Sequence, residues 1–287
     1  MKILICGASG FVGRHMARAL GEAGHTVVQA VRHPRGPEDI AVDFINDTAS
    51  ETWLPRLRGF DAVINTVGVL RDSKSNPMQK LLAETPVALF AACAEAGVQR
   101  IVQVSALGVD SGVKVPYFTT RITAESALHA LPPTVRWLCL RPSVIYGEDG
   151  ASAQMFRNLA KLPLQVLPLG GVQTLQPVHI DDICAAVTRW LSLPEATSQT
   201  VEAVGAEATT MRGMLDSYRE QMHRRPAWHM ALPRPLVRLM ARAGDFVPSA
   251  PLCSDTYAMM AAGNTAPAAR FTGLLGREPR SFRKFIS

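Results

Sequence analysis

The sequence of 287 residues is 47% hydrophobic and 19% charged, enough chain for one large domain or two smaller ones with cores of their own. Its 21 glycines and 20 prolines are ordinary for a globular protein and no internal repeat is visible, so collagen-like, low-complexity and solenoid architectures are excluded. The net charge of +6 is concentrated late in the chain, where residues 211–287 hold 12 Lys and Arg against 5 Asp and Glu.

Cys6, Cys93, Cys139, Cys184 and Cys253 stand singly and never as C-x-x-C. That pattern offers neither a disulfide framework nor a metal site, and it favours a reducing, cytoplasmic setting. The apolar run at the N-terminus meets Gly7 too soon to form the core of a secretory signal. The longest segment without a charged residue, 162–180, holds three prolines and three glutamines and does not read as a membrane span.

Short β-branched runs at 3–5, 26–31, 62–65, 100–104 and 135–140 alternate with stretches of helical length at 11–23, 78–96 and 119–131. Gly24 and Gly97 stand where C-terminal caps belong. Strands that alternate with helices predict an α/β protein, a Rossmann-type doubly wound parallel sheet over residues 1–150. Beyond Gly150 the alternation weakens and prolines recur. Residues 151–287 read as a smaller helix-rich C-terminal lobe for substrate or partner, interleaved with the first domain.

Gly7-Ala8-Ser9-Gly10-Phe11-Val12-Gly13 follows the first strand and opens the first helix. A glycine turn of this kind lets backbone N–H groups approach a pyrophosphate while the helix N-terminus supplies partial positive charge. The second strand ends at Val31 without an acid and is followed by Arg32. A guanidinium there suits the 2′-phosphate of NADP(H), with Arg14 and Arg35 as helpers, and makes NAD(H) the less favoured cofactor.

The G-x-x-G-x-x-G spacing resembles that of the short-chain dehydrogenase/reductase superfamily. Further motifs are similar in the same order: Thr66-Val67-Gly68, Tyr117-Phe118-Thr119-Thr120-Arg121, Leu140 to Gly147, and Gln176 to Asp182. The resemblance covers about residues 1–190 and is greatest to atypical and extended, epimerase-like members, including relatives of the nucleotide-binding accessory subunit of respiratory complex I. It implies that Val67 and Gly68 lie beside the adenine ribose and that Asp43 contacts the adenine. Pro142 to Ile145, and with them Val144, would present backbone to the nicotinamide carboxamide, and Asp181 would be a structural acceptor. Tyr117 would be the general acid or base, with Ser105 beside it. Arg121 stands where active members carry lysine, and Leu107 stands where many carry a hydroxyl, leaving Ser105 or Ser111 to polarise a substrate.

Arg234, Arg238 and Arg242 recur every four residues, with Leu236, Val237, Leu239, Met240 and Ala243 between them. This is a basic amphipathic helix, packed on its own lobe or docking a membrane surface or protein. No aromatic residues interleave the basic stripe, so nucleic acid is not expected as a partner. The resemblance leaves a homodimer open. Two functions are compatible with these residues: an NADP(H)-dependent oxidoreductase or epimerase-like enzyme on a small molecule, or a non-catalytic NADPH-binding sensor or scaffold.

Overall fold

The computed structural model describes residues 1–34, 36–247 and 250–286. Two compact units are interleaved along the chain. The first comprises Met1–Asp110, Pro116–Arg141 and Cys184–Val201, and the second comprises Ser111–Val115, Pro142–Ile183 and Glu202–Ser287.

In the first unit the chain runs β1 (Lys2–Cys6), α1 (Phe11–Glu22), β2 (Thr26–Val31), β3 (Ile40–Ala41), α2 (Ser50–Leu57) and β4 (Ala62–Asn65). It continues through α3 (Thr85–Glu95), β5 (Arg100–Val104), α4 (Pro116–His129) and β6 (Arg136–Pro142). Ile3, Leu4, Ile5 and Cys6 are all fully buried. A parallel strand covered on both faces reads as such a continuous apolar run and does not alternate. Helix α1 buries Gly13, Met16 and Leu20, one stripe at helical spacing. It ends where expected: Gly24 has φ +83°, and the His25 N–H reaches back to the Leu20 carbonyl at 3.0 Å.

Two boundaries differ from the sequence expectation. The helix expected over 78–96 arrives as a π-helical turn, Lys80–Glu84, followed by α3. Pro86 has no N–H to donate, and the wider turn lies just before it. Helix α4 starts at Pro116, three residues early, because a proline is tolerated in a first turn whose N–H groups lack partners anyway.

After the strand β7 (Ile145–Tyr146), the helix α5 (Ala151–Lys161) and the strands β8 (Leu164–Pro168), β9 (Thr174–Leu175) and β10 (Val178–His179), the chain enters α6 (Ile180–Ser192) and β11 (Gln199–Ala203). These last two return residues 184–201 to the first unit. The sheet order is β11-β6-β5-β4-β1-β2-β3. Strands β1 to β6 pair in parallel, so the chain winds outward in both directions from the junction of β1 and β4. Arg100 ties α6 down, donating to the Leu193 carbonyl at 2.7 Å and to that of Leu191.

The second unit is completed by β12 (Thr209–Thr210), α7 (Met211–Gln221), β13 (Trp228–Leu232), α8 (Arg234–Gly244), α9 (Ser254–Ala261) and α10 (Ala269–Leu275). Its strands pair two by two, β7 with β10, β9 with β12 and β8 with β13. Its core gathers Tyr146, Phe156, Leu167, Met214, Tyr218 and Phe282. The ring of Phe285 stacks on Tyr146 with centroids 4.7 Å apart.

The structural acceptor of the 176–182 motif is Asp182 and not Asp181. Asp182 is fully buried, and its carboxylate takes Nη2 of Arg277 at 2.5 Å and the backbone N–H of Arg280 at 2.7 Å. Asp181 is part exposed and pairs with the Arg280 side chain at 2.9 Å. Asp182→Ala leaves Nη2 of Arg277 and the backbone N–H of Arg280 without this acceptor. It should destabilise the protein by about 3 kcal/mol, whereas Asp181→Ala should cost under about 1 kcal/mol, as read by urea unfolding of both variants.

Candidate functional site

The C-terminal ends of β1 and β4 lie side by side, Cys6 opposite Asn65, at the point where the winding of the sheet reverses. Ligands of open α/β sheets bind in the crevice at such a point. Gly7 leaves β1 with φ +79°, and a β-carbon there would stand 2.9 Å from Oγ1 of Thr66. Gly13 is tighter still, since its β-carbon would lie 2.2 Å from the Gly7 carbonyl oxygen. The Gly10 N–H closes the turn on that carbonyl at 2.9 Å. No side chain caps Gly10, and the first turn of α1 contains no acid. Ser9 and Gly10 are exposed, Phe11 and Val12 half-buried. The helix therefore presents its positive end with no carboxylate of its own first turn to neutralise it.

Beside this turn lies a pocket of ≈ 310 Å³ lined by Ser9, Arg14, Gln29, Arg32, His33 and Asp39, with Ala8 and Val31. Two arginines and a histidine outweigh its one carboxylate. Arg35 lies outside the described residues. Asp43 spends its carboxylate on a turn: Oδ1 accepts from the Ile45 N–H at 3.0 Å and Oδ2 from Nδ2 of Asn46 at 2.7 Å. The Ile45 N–H, then Asn46, and to a lesser degree the nearby Arg32 hold the carboxyl below its usual value.

At the ends of β4 and β5 buried amides are cross-linked, Nδ2 of Asn65 donating to Oε1 of Gln103 at 2.8 Å. The Val67 N–H donates to Oδ1 of Asn65 at 3.1 Å, which sets the path of Val67 and Gly68. Arg121 reaches this segment from α4, because a β-carbon on Gly68 would meet its Nη2 at 3.2 Å. The guanidinium is buried, donates Nη1 to the Val104 carbonyl at 2.8 Å and sits 4.7 Å from the centre of the Tyr117 ring. Tyr117 is half-buried. Ser105 Oγ and Arg121 Nε are buried without a hydrogen-bond partner among the described residues. Unsatisfied polar atoms of this kind at the C-terminal end of a parallel sheet suit a ligand that brings its own acceptors. Leu107 is buried. In the first unit Arg121 thus approaches Gly68, the Val104 carbonyl and the Tyr117 ring.

Sequence reasoning missed what lies beneath Arg121. One turn further along α4, the buried Glu125 is chelated by Arg141, whose Nε lies 3.2 Å from both carboxylate oxygens and whose Nη2 is 2.6 Å from Oε2. Arg141 also reaches Asp110 at 2.7 Å. Glu125 at i+4 from Arg121 was the available signal. Glu125, His129 and Cys139 also bring three donor atoms within 4.8 Å. Arg141 already occupies both oxygens, and burial, the larger cause, with Glu125 beside it pushes the Cys139 thiol upward, so the group reads as an ion pair and a thiol.

Pro142 and Val144 belong to the second unit. There the Val144 N–H donates to Oδ1 of Asn264 at 3.2 Å, and the Val144 carbonyl accepts from the Val178 N–H at 3.0 Å. Ser143 donates its hydroxyl to the same amide oxygen at 2.5 Å. The backbone expected to meet a carboxamide is therefore held by a carboxamide of the chain itself.

The family model described as the NAD dependent epimerase/dehydratase family matches residues 3–204. Subunit 9 of the NADH dehydrogenase [ubiquinone] 1 alpha subcomplex from Mus musculus is 24% identical over 212 residues, 70% of this chain and 56% of that protein. A ceramide reductase of Caulobacter vibrioides is 28% identical over 199 residues, 67% of this chain and 61% of its own length. The chain thus spans less than two thirds of these relatives. The human epimerase family protein SDR39U1, solved with NADPH, superposes with a TM-score of 0.75 at 19% identity, covering 100% of this chain and 98% of that one. Other structures of similar fold were solved with NAD.

The Gly13 contact gives a direct test of the turn. Gly13→Ala forces a methyl group into the Gly7 carbonyl, which is backbone and cannot swing aside. The variant should lose about 3 kcal/mol of stability or more, seen as a lowered midpoint in thermal unfolding.

Proposed function

The chain belongs to the NAD dependent epimerase/dehydratase family, and we propose that it is an NADP(H)-binding member that acts as an oxidoreductase or epimerase-like enzyme on a small molecule. The pocket beside the glycine turn carries this reading. Its lining sets Arg14, Arg32 and His33 against Asp39 alone, and an electropositive recess next to a helix N-terminus suits a phosphate on the adenosine ribose. Val31 stands where an acid would hydrogen-bond a free 2′-hydroxyl and repel a phosphate.

When bound, the nicotinamide accepts or donates a hydride. The chain's own part is the proton and its placement. Tyr117 offers a phenol oxygen to hold or release a proton at the substrate oxygen, and Ser105 supplies a buried hydroxyl with no competing partner. Arg121 sets a fixed positive charge over the Tyr117 ring, and its bond to the Val104 carbonyl keeps it there. A lysine would place a point charge on a mobile stem, whereas this planar group is committed to one orientation.

A second reading rests on that same commitment. With Arg121 bonded to Val104, Leu107 in place of a hydroxyl and the Val144 N–H held by Asn264, the chain would bind NADPH without turning it over. The likeness to a ceramide reductase supports the first reading, and the likeness to a subunit of a larger assembly supports the second.

Two measurements test these proposals. One charge-assisted hydrogen bond contributes about 1.5 to 3 kcal/mol, so Arg32→Ala should weaken NADPH by roughly 10- to 100-fold in calorimetric titration and leave NADH nearly unchanged. Equal losses for both nucleotides would show that Arg32 supports the loop and does not read the phosphate. Tyr117→Phe should abolish NADPH oxidation against a panel of carbonyl compounds while sparing NADPH binding. Undiminished turnover would remove Tyr117 from the chemistry, and no turnover by the unaltered chain would favour the binding reading.

A further inference from the structure

The stretch from Trp228 to Val247 exposes apolar side chains on one element after another. In the ribbon of β8 and β13, Trp228 lies opposite Leu164 and Met230 opposite Val166. Side chains alternate along a strand, so these four share one face. They are exposed by 81% (Trp228), 50% (Met230), 50% (Leu164) and 38% (Val166). Helix α8 follows directly through Pro233 and has three sides. Val237, Ala241 and Gly244 form the buried stripe, which packs against α9. At 100° per residue, Leu236, Leu239 and Met240 fall on one flank of that stripe and Arg234, Arg238 and Arg242 on the other. The three apolar residues of the flank are exposed, Leu239 by 64%, and Phe246 just beyond the helix is exposed by 88%.

A helix that only packed on its own lobe would turn its large apolar residues inward. This one buries an alanine, a glycine and a valine and leaves two leucines and a methionine in water. Arginines outnumber acids around them, the acids on neighbouring elements being Asp216 against His229 of β13 and Asp255 in the first turn of α9. Arg224 and Arg225 precede β13 and three arginines ride on α8, while the acid that follows the helix, Asp245, is engaged with the N–H and hydroxyl of Ser254 at the start of α9. An apolar flank bordered by guanidinium groups and followed by the exposed Phe246 matches what an anionic lipid surface offers, namely acyl chains beneath a layer of phosphates.

We infer that α8 and the β8–β13 ribbon form a membrane-surface docking face selective for anionic lipid. Leu236, Leu239, Met240 and Phe246 enter the acyl boundary, the arginines of α8 extend to the phosphates, and Trp228 sits at the interface. No helix among the described residues is long and apolar enough to cross a membrane, so the contact is peripheral.

The test mixes the full chain with vesicles of phosphatidylcholine and phosphatidylglycerol, and separately with vesicles of phosphatidylcholine alone. The chain should sediment with the anionic vesicles and far less with the neutral ones, and added salt should release it. Replacing Arg234, Arg238 and Arg242 by Gln should weaken the anionic binding about 100-fold. Leu239→Glu with Phe246→Glu should abolish it, with the thermal midpoint unchanged because both side chains are already exposed. Trp53 and Trp190 are fully buried and Trp137 is half-buried against the His129 ring, whereas Trp228 is exposed, so binding should shift tryptophan emission to the blue in the unaltered chain and not in Trp228→Phe. Failure to bind anionic vesicles, or binding untouched by these substitutions, overturns the proposal. So does a dimer in sedimentation equilibrium that the same substitutions dissociate, which would make the face a protein interface.

Discussion

Gly13 stands against the carbonyl of Gly7 at a separation that no side chain permits, and the nucleotide edge of the sheet is organised around that contact. It fixes how closely α1 approaches the end of β1, and so where the uncapped N-terminus of the helix points. It also brings Gly7 against Thr66, whose hydroxyl returns to the Cys6 carbonyl at 2.8 Å. The two strands that part at this junction are thereby held at one spacing. Three glycines and one threonine hydroxyl thus define a crevice whose floor is backbone, as an anion site built on N–H groups requires.

The surroundings of Tyr117 and Arg121 rest on a different constraint, the cost of burying charge. Helix α4 carries Arg121 and Glu125 one turn apart, both buried, and the chain satisfies them separately. Glu125 is given wholly to Arg141, while Arg121 is left with a carbonyl, a ring face and an unsatisfied Nε. A buried acid at i+4 from an arginine would ordinarily pair with it along the helix. Because Arg141 satisfies that acid, Arg121 keeps its positive charge for whatever lies above Tyr117. The Glu125–Arg141 pair thus shapes the electrostatics around Arg121 and Tyr117.

Much of the fold was legible because its signals are local. Apolar runs such as Ile3–Ile5, the cap glycines Gly24 and Gly97, and the glycine turn each carry their reason within a few residues. The family followed from the order of several such motifs. Apart from local details such as the π-helical turn at Lys80–Glu84, the features that sequence did not disclose are long-range. The pairing of Arg141 with Glu125 joins residues 16 positions apart, and Asn264 meets Val144 across 120. Whether Asp181 or Asp182 is the buried acid depends on the C-terminal Arg277 and Arg280, which no pattern near residue 180 reveals. Asp43 shows the opposite limit, for its local context suited a nucleotide contact and a turn equally, and the carboxylate is bonded within its own turn. The spacing of Arg234, Arg238 and Arg242 marks α8 as amphipathic. Which of its apolar residues face inward required coordinates, since Val237 and Leu236 are adjacent and only one is buried.

The return of residues 184–201 to the first unit also has a bearing on the order of events during synthesis. A ribosome releases β1 to β6 first, and at that stage β6 is an edge strand with unpaired backbone groups. Its neighbour β11 and the helix that Arg100 holds are still some fifty residues from being made. The nascent chain must therefore carry a six-stranded sheet with an open flank while the entire stretch from Pro142 to Ile183 emerges. Folding of the nucleotide-binding unit is gated by translation of a segment that does not belong to it, and the interval in which β6 lies bare is the time when a chaperone, or a wrong strand, has access to the molecule.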